Sequence, residues 1–150
     1  PVTVHHLVCR LLLEKKKTQL QIVAAIGGVI QRSLDPLMDR YSRLPYDGVL
    51  DRMNRELGKL RHRLQAAVRF VAEKRDSAYH DLVARPLVEM ETLVFVGHLL
   101  VRDAARAPEQ RAVLAEKFVL DAIPEFERHY ALVMSNDYTT IDRHREIIDY

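Results

Sequence analysis

From Leu50 onwards the apolar positions advance in alternating steps of three and four: Leu50, Met53, Leu57, Leu60, Leu64, Ala67 or Val68, and Val71. Residues three and four apart share one face of an α-helix, so this spacing draws a single apolar stripe. It predicts a helix over 49–74, with Arg52, Arg55, Lys59, Arg63 and Lys74 off the stripe. Asp76 and Ser77 are candidate caps for the next helix, over 77–105. Pro86 falls inside that helix and predicts a kink, because proline lacks the amide hydrogen and clashes with the carbonyl one turn back. Beyond it, Leu93-Val94-Phe95-Val96-Gly97-His98-Leu99-Leu100-Val101 is apolar almost all round. Such a helix is buried on most sides, which makes this run the expected centre of a bundle.

Pro108-Glu109 opens a helix over 108–135 whose core face reads Val113, Leu114, Phe118, Val119, Ile123, Phe126 and Tyr130, with Pro124 a second kink. A short terminal helix is expected over 139–148. On the other side, 3–32 reads as helix with a bend or close approach at Gly27-Gly28. Ser33-Leu34-Asp35-Pro36 signals a restart, with Asp35 as N-cap and Pro36 at the first helical position of a helix over 35–41. Leu44-Pro45-Tyr46-Asp47-Gly48 is a turn, and Asp47 is a candidate cap for the helix that follows. The expected fold is all-α: an up-and-down bundle of four to five long helices in one domain over 1–150, kinked at Pro86 and Pro124.

Composition agrees with this picture. A chain of 150 residues, 48% hydrophobic and 29% charged, has the material for one packed core and is too apolar for a disordered chain. The longest uncharged apolar runs, Leu20 to Ile30 and Thr92 to Val101, fall short of the roughly 20 residues of a membrane span. Neither follows the basic segment of a secretory signal. The net charge of +2 is spread over interleaved basic and acidic residues, which is not a nucleic-acid footprint. Cys9 is the single cysteine, so a reducing, cytoplasmic setting is expected and Cys9 is read as a buried structural residue. Pro1 in place of an initiating methionine suggests a processed or truncated chain.

Chemical motifs are sparse. The five glycines, at 27, 28, 48, 58 and 97, form no phosphate-binding loop or nucleophile elbow. Glutamate is nowhere followed by histidine at the three-residue offset of helical di-iron proteins, and no metal site is expected. Glu125 and His129, four apart, read as a helix-surface ion pair, and His5-His6 as solvated. The Arg52 to Arg75 helix and Lys15-Lys16-Lys17 read as solvated faces. His98 stands apart because it interrupts the most apolar helix, and Glu91 lies two turns earlier on about the same face. The pair are the candidate ligand-binding residues, lining a cavity as a buried polar couple. The alternative is a core histidine satisfied by a backbone carbonyl or a neighbouring helix.

Three stretches resemble the C-terminal helical region of bacterial acyl-CoA dehydrogenase-like flavoenzymes. Arg55-Glu56-Leu57 through Val71-Ala72-Glu73 resembles the long helix before that family's final hairpin. Ala84-Arg85-Pro86-Leu87, leading into Val94 through Ala104, resembles the helix in which a proline precedes a buried glycine-containing run. Leu114-Ala115-Glu116-Lys117-Phe118 and Ala122-Ile123-Pro124 resemble the last helix. The resemblance implies a module of an oxidoreductase acting on acyl-CoA, itself not catalytic, which completes the fold, supports oligomer contacts or walls the acyl pocket. It implies FAD for the whole enzyme, with none bound by this segment alone, and an upstream flavin-binding domain or subunit as partner. A homo-oligomer is expected, with no nucleic acid and no membrane span. The alternative function is a non-enzymatic helical dimerisation or ligand-sensing module.

Overall fold

The computed structural model describes residues 29–148, and every element among them is helical. The order is α1 (Val29–Ser42), α2 (Gly48–Lys74), α3 (Ser77–Arg106), α4 (Pro108–Met134), α5 (Thr139–Asp142) and α6 (His144–Ile148). Cys9, His5-His6, Lys15-Lys16-Lys17 and the Gly27-Gly28 bend lie outside the described residues. At 1.5 Å per residue the three long helices are each about 40 Å in length. They run antiparallel because the connections are too short for anything else. Arg75 and Asp76 alone join α2 to α3, and Ala107 alone joins α3 to α4.

The caps explain these sharp reversals. Arg75 takes the left-handed conformation that ends α2, at φ 51°. Asp76 then caps α3, its Oδ1 accepting from the amides of Ala78 (3.0 Å) and Tyr79 (3.2 Å). Pro108 opens α4, where the missing amide hydrogen costs nothing. Asp47 occupies the N-cap position of α2, but only its backbone carbonyl serves, accepting from Leu50 and Asp51.

The buried residues of α2 are those of the stripe: Leu50, Met53, Leu57, Leu60, Leu64, Ala67 and Val71. They meet α3 and α4 in two apolar layers. One gathers Leu60, Leu64, Met90, Val94, Phe126 and Met38, among others, and the second gathers Leu50, Met53, Leu57, Val101, Ala115 and Val119. Helix α3 is central, packing against α1, α2, α4 and α5, with every residue from Leu93 to Val101 buried or half-buried. Tyr79 is fully buried, and its hydroxyl donates to the Val133 carbonyl at 2.6 Å, joining the start of α3 to the end of α4.

Three expectations need correction. Asp35-Pro36 does not start a helix over 35–41, because Pro36 lies inside α1. The Asp35 carboxylate faces Arg61 of α2 instead, at 3.0 Å, and serves packing between helices. Pro86 and Pro124 do lie within α3 and α4, as the sequence placed them. The core face of α4 is rotated at its start: Ala115, Val119, Ala122, Phe126, His129 and Val133 are buried, while Val113 and Leu114 are 76% and 59% exposed. Finally, 139–148 is two short helices interrupted at Arg143, and neither buries a residue that would hold them in one axis.

Candidate functional site

Both residues nominated from the sequence are buried on α3. Glu91 is 4% exposed and His98 is fully enclosed. Seven residues separate them by about 10 Å along the helix axis. The polar couple does not form, since neither Nδ1 nor Nε2 of His98 has a hydrogen-bond partner. His98 sits where the two apolar layers meet, beside Gly97, which is in contact with Leu57 of α2. Burial first, and then the charge of Arg61, push its pKa from 6.5 down to about 4, so the imidazole is neutral at neutral pH.

Arg61 is the hub of a polar network that the sequence pattern does not reveal. Its Nε and Nη2 donate to Asp35 Oδ1 at 3.2 and 3.0 Å, and its Nη1 donates to Asp39 at 2.7 Å. The Arg61 hydrogen bond holds the Asp39 carboxyl below its ordinary range. A second cationic tie runs from Arg102 of α3, whose Nη1 donates to the Tyr41 hydroxyl at 2.9 Å and whose guanidinium lies 4.7 Å from the Tyr41 ring centre. Asn54 adds a hydrogen bond to the Ser42 carbonyl at 2.9 Å. These contacts seat α1 on α2 and α3 beside His98. Arginines 26 and 61 residues from their acceptors leave no local periodicity to find.

A cleft of about 330 Å³ opens between α3 and α4, lined by Arg85, Pro86 and Glu89 on one side and Glu125, Arg128, His129 and Leu132 on the other. Glu125 Oε1 lies 3.0 Å from His129 Nε2 and 2.6 Å from Arg128 Nη2. The Arg128 hydrogen bond is the chief cause of the lowered Glu125 pKa. The pair read from the sequence as a surface contact is thus half interior, because His129 is only 7% exposed. Its Nδ1 has no hydrogen-bond partner.

Among the described residues, no group of three or more His, Cys, Asp or Glu side chains is placed to hold a metal ion. No described helix is long and apolar enough to cross a membrane. The Ala78 and Tyr79 amides of α3 are taken by Asp76, and α4 opens on Pro108 with the amides of Gln110 and Arg111 donating to the Ala107 carbonyl.

Residues 34–141, from within α1 to within α5, match the family described as acyl-CoA dehydrogenase C terminal. The chain belongs to this family. A crystal structure of an acyl-CoA dehydrogenase family protein from Porphyromonas gingivalis is similar, with 27% sequence identity and a TM-score of 0.66. The similarity covers 77% of this chain and 99% of that one, so the Porphyromonas chain is little more than the bundle itself. No curated protein matches. The chain is a helical module of the acyl-CoA dehydrogenase kind, and the family match extends the resemblance seen in the sequence into α1.

Proposed function

We propose that this bundle completes an acyl-CoA dehydrogenase-like flavoprotein by docking its α4 face against a flavin-binding domain or subunit. The observation that carries this reading is the turned-out apolar surface of α4. Val113, Leu114, Leu120 and Leu132 are 48% to 76% exposed on a helix whose inward face already buries Ala115, Val119, Ala122, Phe126 and Val133. Large apolar side chains left in solvent on a helix whose core face is complete mark a surface to be covered. FAD belongs to the assembled enzyme in this reading, as the family match implies. Acyl-CoA oxidation is then the activity of the assembly, in the cytoplasm, and the bundle supplies structure, oligomer contacts or a pocket wall. His98 and Glu91 remain the candidate ligand contacts, His98 on the strength of its two unpartnered nitrogens.

The test is assembly. Co-expressed with the flavin-binding protein it serves, the chain is expected to co-purify, and Val113→Asp/Leu114→Asp to abolish co-purification without lowering its own melting midpoint. The isolated chain is expected to carry no flavin absorbance and to oxidise no acyl-CoA in a dye-linked assay. Either property in the isolated bundle would refute the accessory role. A second reading is a bundle that acts as a non-enzymatic dimerisation module, for which the same exposed apolar side chains of α4 would serve. Sedimentation of the isolated chain separates the two, since only this reading expects a stable oligomer without the flavin partner.

A further inference from the structure

One end of the bundle holds three aromatic rings around a single ammonium group. Lys74 Nζ, on the last residue of α2, lies 4.7 Å from the ring centre of Phe70, 4.9 Å from Tyr79 and 5.8 Å from Tyr138. The rings brace one another. Phe70 and Tyr79 meet edge to face at 6.5 Å, and Tyr79 and Tyr138 lie 5.1 Å apart. Both tyrosines are fixed by their hydroxyls, Tyr79 to the Val133 carbonyl and Tyr138 to Asp76 Oδ2 at 3.0 Å. The walls therefore do not depend on the lysine for their position.

The electrostatics of this end favour a cation independently of the rings. The C-termini of α2 and α4, at Lys74 and Met134, come together here, and helix C-termini carry partial negative charge. The opposing positive end of α3 is already offset by the Asp76 carboxylate. Burial raises the pKa of both tyrosines, and the carboxylates of Asp137 for Tyr79 and of Asp76 and Asp142 for Tyr138 add to it, against an opposing backbone hydrogen bond at Tyr79. Aromatic faces attract cations through their quadrupole, and methylated ammonium groups fit such boxes because their surface is apolar while their charge remains. Lys74 is half-buried on a flexible stem, with Asn136 Oδ1 as its hydrogen-bond acceptor, so it can leave for solvent without disturbing the walls.

We propose that Phe70, Tyr79 and Tyr138 form a cation-binding box whose resident occupant is Lys74, and that the box admits a small methylated ammonium ion when that side chain is out. The site is separate from the α4 face and from His98, and it holds whether or not the module docks on a flavin domain. Lys74→Ala empties the box while leaving its walls.

The probe is tetramethylammonium chloride, compared with sodium chloride at equal ionic strength, on the full chain. Melting midpoint and tyrosine emission are both read, and emission is informative because two of only six tyrosines line the box and the chain has no tryptophan. Lys74→Ala is expected to show a saturable rise in midpoint with tetramethylammonium that sodium does not produce. The wild type, with Lys74 competing, should need about tenfold more of the ion. Tyr138→Leu in the Lys74→Ala background should abolish the response, and Phe70→Leu serves if that variant melts too low to read. Identical behaviour of Lys74→Ala in the two salts overturns the proposal, as does a response that survives loss of a wall. Equal affinity in wild type and Lys74→Ala removes Lys74 as the occupant.

Discussion

Leu57 of α2 fills the space that a side chain on Gly97 of α3 would need. A Cβ built on Gly97 overlaps Leu57 Cδ2 and comes within 3.3 Å of Cδ1. Leu57 is fully buried and has nowhere to swing. Overpacking of this kind costs about 1–3 kcal/mol, while alanine regains about 1 kcal/mol of helix propensity over glycine. Gly97→Ala is therefore expected to lose up to about 2 kcal/mol in urea unfolding. Adding Leu57→Ala should make the double variant less damaged than the two single losses summed, because the clash is gone. A Gly97→Ala protein more stable than wild type would show that the helices are not in this contact.

Gly58, on the outer face of α2, is the opposite case. It is exposed in mid-helix, and a Cβ there meets nothing within 4 Å. Gly58→Ala is expected to stabilise the isolated chain by about 1 kcal/mol through backbone entropy alone. A loss in the same urea experiment would contradict the open geometry at this position.

His98 gives the bundle a specific response to acid. Its pKa falls from 6.5 in the unfolded chain to about 4 when folded, so only the unfolded chain takes up a proton between those values. Its contribution to stability is thus complete above about pH 6.5, declines as pH falls and levels off below about pH 4. By about pH 5 the loss reaches roughly 2 kcal/mol. His98→Leu removes this component, so its midpoint should fall less than that of wild type between about pH 7.5 and pH 5. At pH 7.5 the variant should match or exceed wild type, since an apolar side chain leaves no unpartnered nitrogen. Parallel pH profiles for the two proteins would show that His98 is not the group responsible.

Arg61 decides whether α1 stays in place. Arg61→Met keeps the side-chain stem but removes its bonds to Asp35 and Asp39, at an expected cost of about 1–3 kcal/mol. The loss should be local. Amide hydrogen exchange in 37–42 is expected to accelerate while the central amides of α3 and α4 keep their protection. Uniform acceleration across the bundle would mean that α1 is not seated by this network.

The part of the fold that the sequence revealed is the part written in local periodicity. The α2 stripe needed only one helix's own spacing, and the capping by Asp76 and Pro108 acts within the first turn of the helix each one opens. Asp35-Pro36 misled because the same two residues suit either a cap or a partner for Arg61, 26 positions away. On α4, hydrophobicity favoured Val113 and Leu114 for the core, whereas the face that packs inward carries Ala115, Val119, Ala122 and Phe126. The burial of His98 and Glu91 was legible from their neighbours on α3. Their separation was not, because it depends on side-chain direction and on what α2 presents. The box around Lys74 draws on α2, α3 and the segment after α4, and no single stretch of sequence contains it.

Because Ala107 alone separates α3 from α4, the most extensive helix contact among the described residues closes a loop of almost no length. Loop closure is what slows the search of a folding chain, and contacts local in sequence escape most of that delay. The α3–α4 hairpin is thus the natural nucleus, onto which α2 and then α1 condense. Val119→Ala, within the hairpin, should mainly slow folding, and Met38→Ala, on α1, should mainly hasten unfolding. The reverse pattern in stopped-flow measurements would place the nucleus elsewhere. On this order of events, α1 is the last helix to arrive and the first to leave.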